Sequence, residues 1–346
     1  MSWWRSRWFQ AVISAGAVAL IFGFVLPKLA NYGEAWDSII AMSSAQVVGV
    51  GLVALWNFVS YLPLLVSVLP GLRWRDAAVA NFASTAASNT LPGGGALGVG
   101  VTLTIERSYG FSAADIARGA VVSGVWNNFA KLGLPILALA LLAFTGNARG
   151  GLIVAALIGV AVLATLLVAF GRMLRSPQLA RRVGSTAERL VARLLQVFGR
   201  PPPAGWDHAA EQFRADTHGL IAGRAGRITV STLVSHASLY VVLLVCLRAV
   251  GVTNGEVGWV DVLAAYAFVR LLSAIPITPG GLGVVELGLT ASLGHGLPDP
   301  LRDRVAAGVL LYRALTWFIP IPLGVAAWLY WRSTASARRP PLQSAS

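Results

Sequence analysis

"SAIPITPGGLGVVELG", Ser273 to Gly288, decides how this chain folds. It holds Pro276, Pro279, the glycines Gly280, Gly281, Gly283 and Gly288 and one carboxylate, Glu286, with long apolar sequence on both sides. Inside a bilayer, backbone outside a helix is tolerated only where protein buries it or where it lines a wet cavity, because lipid satisfies no free N–H or C=O. A Pro-Gly-Gly turn within membrane-length sequence therefore marks a polar interior, and glycine permits the tight turn and close backbone approach.

The flanking sequence is of membrane type. The chain has 346 residues, 56% hydrophobic and only 12% charged, outside the range of an ordinary soluble domain. Uncharged runs such as Trp8 to Pro27, Ser38 to Leu72 and Gly150 to Gly171 reach or exceed the roughly 20 residues that a helix needs to cross hydrocarbon. Tryptophans, among them Trp36, Trp74, Trp259 and Trp328, gather at the edges of such runs as interfacial anchors. A net charge of +13 raises the question of nucleic acid, but the arginines sit in loops, where the positive-inside rule accounts for them. The single cysteine, Cys246, excludes an intramolecular disulfide.

The expected fold is an all-α polytopic membrane protein with about six full transmembrane helices, near 8–27, 46–70, 117–145, 150–171, 228–250 and 305–331. Two apolar segments remain, 77–105 and 262–294, each broken near its centre by Pro-Gly-Gly. The stretch 172–227 carries ten arginines against four acids, so it is expected on the cytoplasmic side, as are both termini. Counting spans from these anchors places both ends of 77–105 inside and both ends of 262–294 outside. Each is then a re-entrant hairpin, and the two enter from opposite faces and point at each other. "PGGGALGV" at 92–99 and "PGGLGV" at 279–284 make this a weak inverted repeat, a pointer to a transporter binding site. The resulting domains are a first membrane half, 1–171, a basic cytoplasmic loop, 172–227, a second half, 228–332, and a disordered tail, 333–346. In the loop, Leu179, Val183, Leu190, Leu194 and Phe198 at helical spacing suggest an amphipathic helix on the anionic leaflet, ended by "RPPPAG"; a solvated basic linker fits equally.

Buried charge supplies the candidate site. Arg270 and Glu286 lie nine residues before and seven after Pro279, so they reach similar depth on the two arms and can pair. Arg313 in the last span and Lys131 in the corresponding span of the first half are two further intramembrane cations. Together these cations are expected to form a phosphate pocket, with Glu286 balancing charge or carrying a proton. The helix beginning after Gly281 offers a positive dipole end to the same anion. Asn127 and Asn128 add hydrogen-bonding groups, and Pro92, Gly93 and Gly94 form the first turn. His236 is expected as an interhelical histidine. A dinucleotide site on Gly93, Gly95 and Gly98 is dismissed because no βαβ unit surrounds them. No Walker lysine is present, no metal spacing emerges around His208 and His218, and no cofactor or metal is expected.

These residues carry a family likeness. "PITPGGLGVVE" followed by Tyr312 and Arg313, with "NTLPGGGALGVG" and "GVWNNFAKLGLP", resembles the transmembrane-region family named after lysylphosphatidylglycerol synthase, described as flippase-like. The resemblance covers roughly 10–332 and is to actinobacterial-type stand-alone members. It implies a polytopic inner-membrane protein of a bacterium that handles lipid head groups, and it puts functional interest on Pro279, Gly280, Gly281, Gly283, Glu286 and Arg313. Many relatives carry an acid just after the first Pro-Gly turn; here Val99, Gly100 and Val101 follow, and Glu106 comes later. The aminoacyl-transfer domain of the full synthase has no counterpart, so lysyl transfer is not implied.

The functional expectation is a non-enzymatic translocator of an anionic phospholipid or lipid-linked phosphate, driven downhill or by an ion gradient. One alternative is an accessory subunit of a lipid-modifying or cell-envelope enzyme, with that enzyme as partner. The other is a membrane-embedded head-group or glycosyl transferase, disfavoured by the scarcity of intramembrane acids.

Overall fold

An apolar segment in lipid must satisfy its own backbone polar groups, and helix is the local solution. The computed structural model describes residues 32–90, 94–144, 150–197, 205–273 and 278–335, and they form helices without any strand among them. The helices are α1 (Tyr32–Ile40), α2 (Ser44–Ser60), α3 (Leu62–Val68), α4 (Trp74–Thr90), α5 (Gly94–Ser108), α6 (Ala113–Phe144), α7 (Gly150–Arg175), α8 (Pro177–Val197), α9 (Trp206–Ile221), α10 (Ala225–Ala249), α11 (Trp259–Leu272), α12 (Val284–Gly294), α13 (Asp299–Arg313) and α14 (Pro320–Ala335). Among the described residues five stretches are long and apolar enough to cross a membrane: Ser44–Val68, Ala113–Phe144, Leu157–Arg175, Ala225–Ala249 and Asp299–Thr334. They coincide with five of the six expected spans; the first, 8–27, lies outside the described residues. The chain is a multi-pass membrane protein.

Both Pro-Gly-Gly segments separate helices that pack on each other, α4 on α5 and α11 on α12. The first pair is close because glycine faces serine: a Cβ on Gly94 would strike the Ser88 carbonyl, and one on Gly98 would strike the Ser88 hydroxyl. The second pair is joined through a 3-10 turn at Pro279–Gly281, where Gly280 and Gly281 have positive φ of 59° and 69°. This turn packs against α4 and α5, so the ends of the two pairs meet.

The principal core gathers α10, α11, α12 and α13, with Leu243, Leu247, Tyr266, Leu289 and Val305 buried. Asn57 donates to Ser238 at 2.7 Å and Ser60 meets Ser238 at 2.9 Å, fastening α2 to α10 by polar contacts of the kind that join membrane helices. The last span is not a continuous α-helix. Ala314–Phe318 is a π-turn closed by Ile319 N–H donating to Ala314 O at 2.9 Å; Pro320, having no N–H, cannot give the next α-helical bond.

The basic stretch 172–227 is not a linker. It folds into α8 and α9, which pack on each other with Gly184 against Trp206 and Ala210, an Arg181–Glu211 pair at 2.6 Å, and Glu188 accepting from Trp206 N–H at 2.9 Å. Arg118 ties α6 to this pair through Asp216 at 3.3 Å. Leu179, Val183 and Leu190 of α8 stay exposed. Of the tail expected to be disordered from 333, residues 333–335 belong to α14, which runs to Ala335, and the rest lies outside the described residues.

Candidate functional site

A cavity of about 810 Å³ opens where the ends of the two helix pairs meet. Its walls come from α2, α4, α5, α6, α10, α11, α12, α13, the Pro279–Gly281 turn and the π-turn after Arg313. The sequence explains this convergence. Glycine at 280 lets Trp317 and Asn89 close on the turn, because a Cβ there would lie 2.5 Å from Trp317 Nε1 and 2.9 Å from Asn89 Oδ1. Asn89, at the end of α4, donates to the Trp317 carbonyl at 3.1 Å and so ties the first pair to the π-turn.

Glu286 pairs with Arg313 and not with Arg270. Arg313 Nε lies 2.7 Å from Glu286 Oε1, and Gly283 N–H donates to Oε2 at 2.7 Å. The cause is local: Glu286 is the third residue of α12, where a glutamate reaches back to the N-cap backbone. Two expectations fall with this. The N-terminus of α12 is satisfied by its own glutamate and is not a free anion cradle, and Arg313 is not a free cation, since it also donates to Gly280 O at 3.1 Å.

Arg270 is thereby left as the uncompensated charge on the cavity wall. Its Nε is buried without a hydrogen-bond partner, as are Trp317 Nε1 and His236 Nδ1, and all three residues line the cavity. The tautomer of His236 follows from its neighbour. Asn127 Nδ2 donates to Tyr61 Oη at 3.0 Å and to Ser123 O at 2.9 Å, so its Oδ1 accepts, at 3.1 Å, from His236 Nε2. With the proton on Nε2, Nδ1 of neutral His236 is an acceptor. The cavity thus presents two unused donors, one of them cationic, and one unused acceptor. Buried polar groups left unsatisfied are costly and call for a polar ligand or water.

The other expected residues are distributed unevenly. Gly280, Gly281, Gly94 and Asn127 line the cavity, while Pro279 and Gly283 shape the turn beside it. Asn128 is exposed on α6, one residue away from Asn127 and on another face. Lys131 lines neither of the two cavities, though it stands within electrostatic range of Arg270 and His236. Pro92 and Gly93 lie outside the described residues. Tyr61, Asn89 and Trp317 were not expected; only the spacing of Trp317, one helical turn past Arg313, signalled it. Among the described residues no group of three or more His, Cys, Asp and Glu could hold a metal ion.

A family profile described as the lysylphosphatidylglycerol synthase TM region matches residues 7–324. No curated protein matches the chain.

Proposed function

We propose that this chain, which belongs to the family of the lysylphosphatidylglycerol synthase transmembrane region, is a flippase-like translocator, and not an enzyme, that moves an anionic lipid between leaflets. The carrying observation is the cavity itself, about 810 Å³ with the unpaired Arg270 on its wall and orphaned Trp317 and His236 nitrogens beside it. Arg270 and Trp317 donate to phosphate oxygens, and His236 Nδ1 accepts from a hydroxyl, so the head group is a phosphate that also carries a donor, such as a glycerol or sugar phosphate. The acyl chains stay in the bilayer. The protein sits in a bacterial cytoplasmic membrane, with the arginine-rich α8–α9 pair and both termini on the cytoplasmic side. The Pro-Gly-Gly pairs are re-entrant from opposite faces, and no cofactor is required.

The experiment is purification in mild detergent followed by native mass spectrometry of retained lipid. Wild type is expected to hold an anionic class enriched over the bulk membrane, and Arg270→Gln to lose it. Bound lipid that mirrors the membrane in both proteins would overturn the reading and favour the accessory role. Dye-labelled phosphatidylglycerol in proteoliposomes then tests movement directly.

A further inference from the structure

We infer that a second cavity beside the first is a proton pathway whose acid is Glu106. It encloses about 570 Å³ among α3, α4, α5 and α6. Much of its wall is apolar, with Leu65, Val68, Leu103 and Ile116 prominent. One carboxylate opens into it: Glu106 is only 5% exposed and takes part in no side-chain hydrogen bond or ion pair among the described residues.

The contrast with Glu286 decides between a structural and a functional acid. This protein fixes a structural acid by giving both oxygens a donor, from Arg313 and from Gly283 N–H. Glu106 receives neither. Acids buried in a membrane protein without a counter-charge are expensive as anions, and where they line a cavity they mark proton or ion pathways. A single carboxylate among apolar walls does not assemble the six to eight oxygens that a calcium-like cation takes, whereas one proton needs no further ligand.

A polar file leads away from it. Thr102 stands one turn before Glu106 on α5, facing Ser84 and Ser88 of α4 and Ser123 of α6 across the cavity. Tyr61, Asn81, Ser88 and Asn127 line both cavities, so the file ends where Asn127 holds His236. Hydroxyl groups with water between them relay protons along such a file.

The charged groups on the packed elements leave Glu106 uncompensated. On α4, Arg75 lies 3.8 Å from Asp76 and its side chain is 68% exposed. On α6, Arg118 is engaged by Asp115 and by Asp216, and Lys131 lies off this cavity, within electrostatic range of Arg270 and His236. Arg107 on α5 itself is exposed, α3 and the Pro279–Gly281 turn carry no charge, and the nearby phenols are Tyr61 and Tyr109. The coupling of this proton to lipid movement rests on the translocator reading; the proton site does not.

Two measurements keep these apart. In the intact, wild-type protein, dicyclohexylcarbodiimide, which adds to protonated carboxyls in apolar surroundings, is expected to modify Glu106 and spare Glu286, read by peptide mass spectrometry. Modification of other carboxyls without Glu106 overturns the proton site whatever the lipid assay gives. In proteoliposomes of phosphatidylglycerol and phosphatidylcholine, a gradient of one pH unit is expected to bias labelled phosphatidylglycerol between leaflets by up to about tenfold for one coupled proton. Glu106→Gln should keep downhill movement and lose the bias, and Glu106→Asp should restore part of it. A Glu106→Gln protein that responds to the gradient like wild type overturns the coupling. Absence of lipid movement in wild type overturns the translocator reading and, with it, the coupling.

Discussion

Arg313 Nε stands 2.7 Å from Glu286 Oε1 while the other carboxylate oxygen is held at 2.7 Å by Gly283 N–H, so one acid locks the last span to the turn between α11 and α12. The side chains are 11% and 1% exposed.

Removing one partner of such a pair leaves a buried, uncompensated charge, at a cost of about 3–5 kcal/mol. Glu286→Gln and Arg313→Leu are each expected to lower the unfolding midpoint in mild detergent markedly, and the double variant to lose clearly less than the sum. Additive losses would show that the two side chains are not coupled. Glu286→Gln should also leave any response of lipid movement to a pH gradient intact.

Trp317 Nε1 has no partner, so removing it sacrifices no bond of the fold. Trp317→Phe is expected to keep stability within about 1 kcal/mol of wild type while retained anionic lipid falls severalfold in native mass spectra. Because His236 Nδ1 needs a donor, lipids with glycerol heads should outcompete those with choline heads. Equal retention of both would remove the histidine from recognition.

Two glycines two residues apart on α5 should behave oppositely. A Cβ at Gly98 collides with Ser88 and Ser84 of α4, whereas one at Gly100 meets nothing within 4 Å. Gly98→Ala should cost about 1–3 kcal/mol by forcing the pair apart, and Gly100→Ala should be close to neutral. Thermal unfolding of the two variants side by side decides this.

Outside the membrane, Arg181 donates to Glu211 at 2.6 Å and holds its carboxyl below the usual glutamate range. A depressed value in the fold means the contribution is present above the unfolded value, roughly 4.3, and is lost as pH falls through the folded one. Protection factors for hydrogen exchange in α8 and α9, taken relative to the intrinsic amide rate at each pH, should therefore fall in acid below about pH 4.3, and Glu211→Gln should abolish that acid-dependent part. Protection factors that are flat with pH in wild type would mean that the surface pair holds nothing.

The spans were legible because lipid requires long uncharged helices, a constraint written residue by residue in runs such as Gly150 to Gly171. The Pro-Gly-Gly breaks were legible for the same reason, since nothing else interrupts apolar sequence so sharply. The partner of Glu286 was not. Depth along the two arms pointed to Arg270, and the choice of Arg313 was settled by a backbone N–H three residues away that turns the carboxylate toward α13.

By itself, then, the sequence determined a helical membrane chain, its long spans, two glycine-rich turns and a short list of buried charges, because hydropathy, helix breaking and charge asymmetry act locally. Only the tertiary structure decided which charges cancel and which remain. Arg270, Trp317 and His236 come from three distant segments, and their unpaired nitrogens become a site only where α10, α11 and the π-turn converge. Glu106 likewise reads as one more acid near a loop until packing encloses it without a counter-ion. Pairing depends on distances of a few ångströms between elements far apart in the chain, and spacing along the sequence carries no record of them.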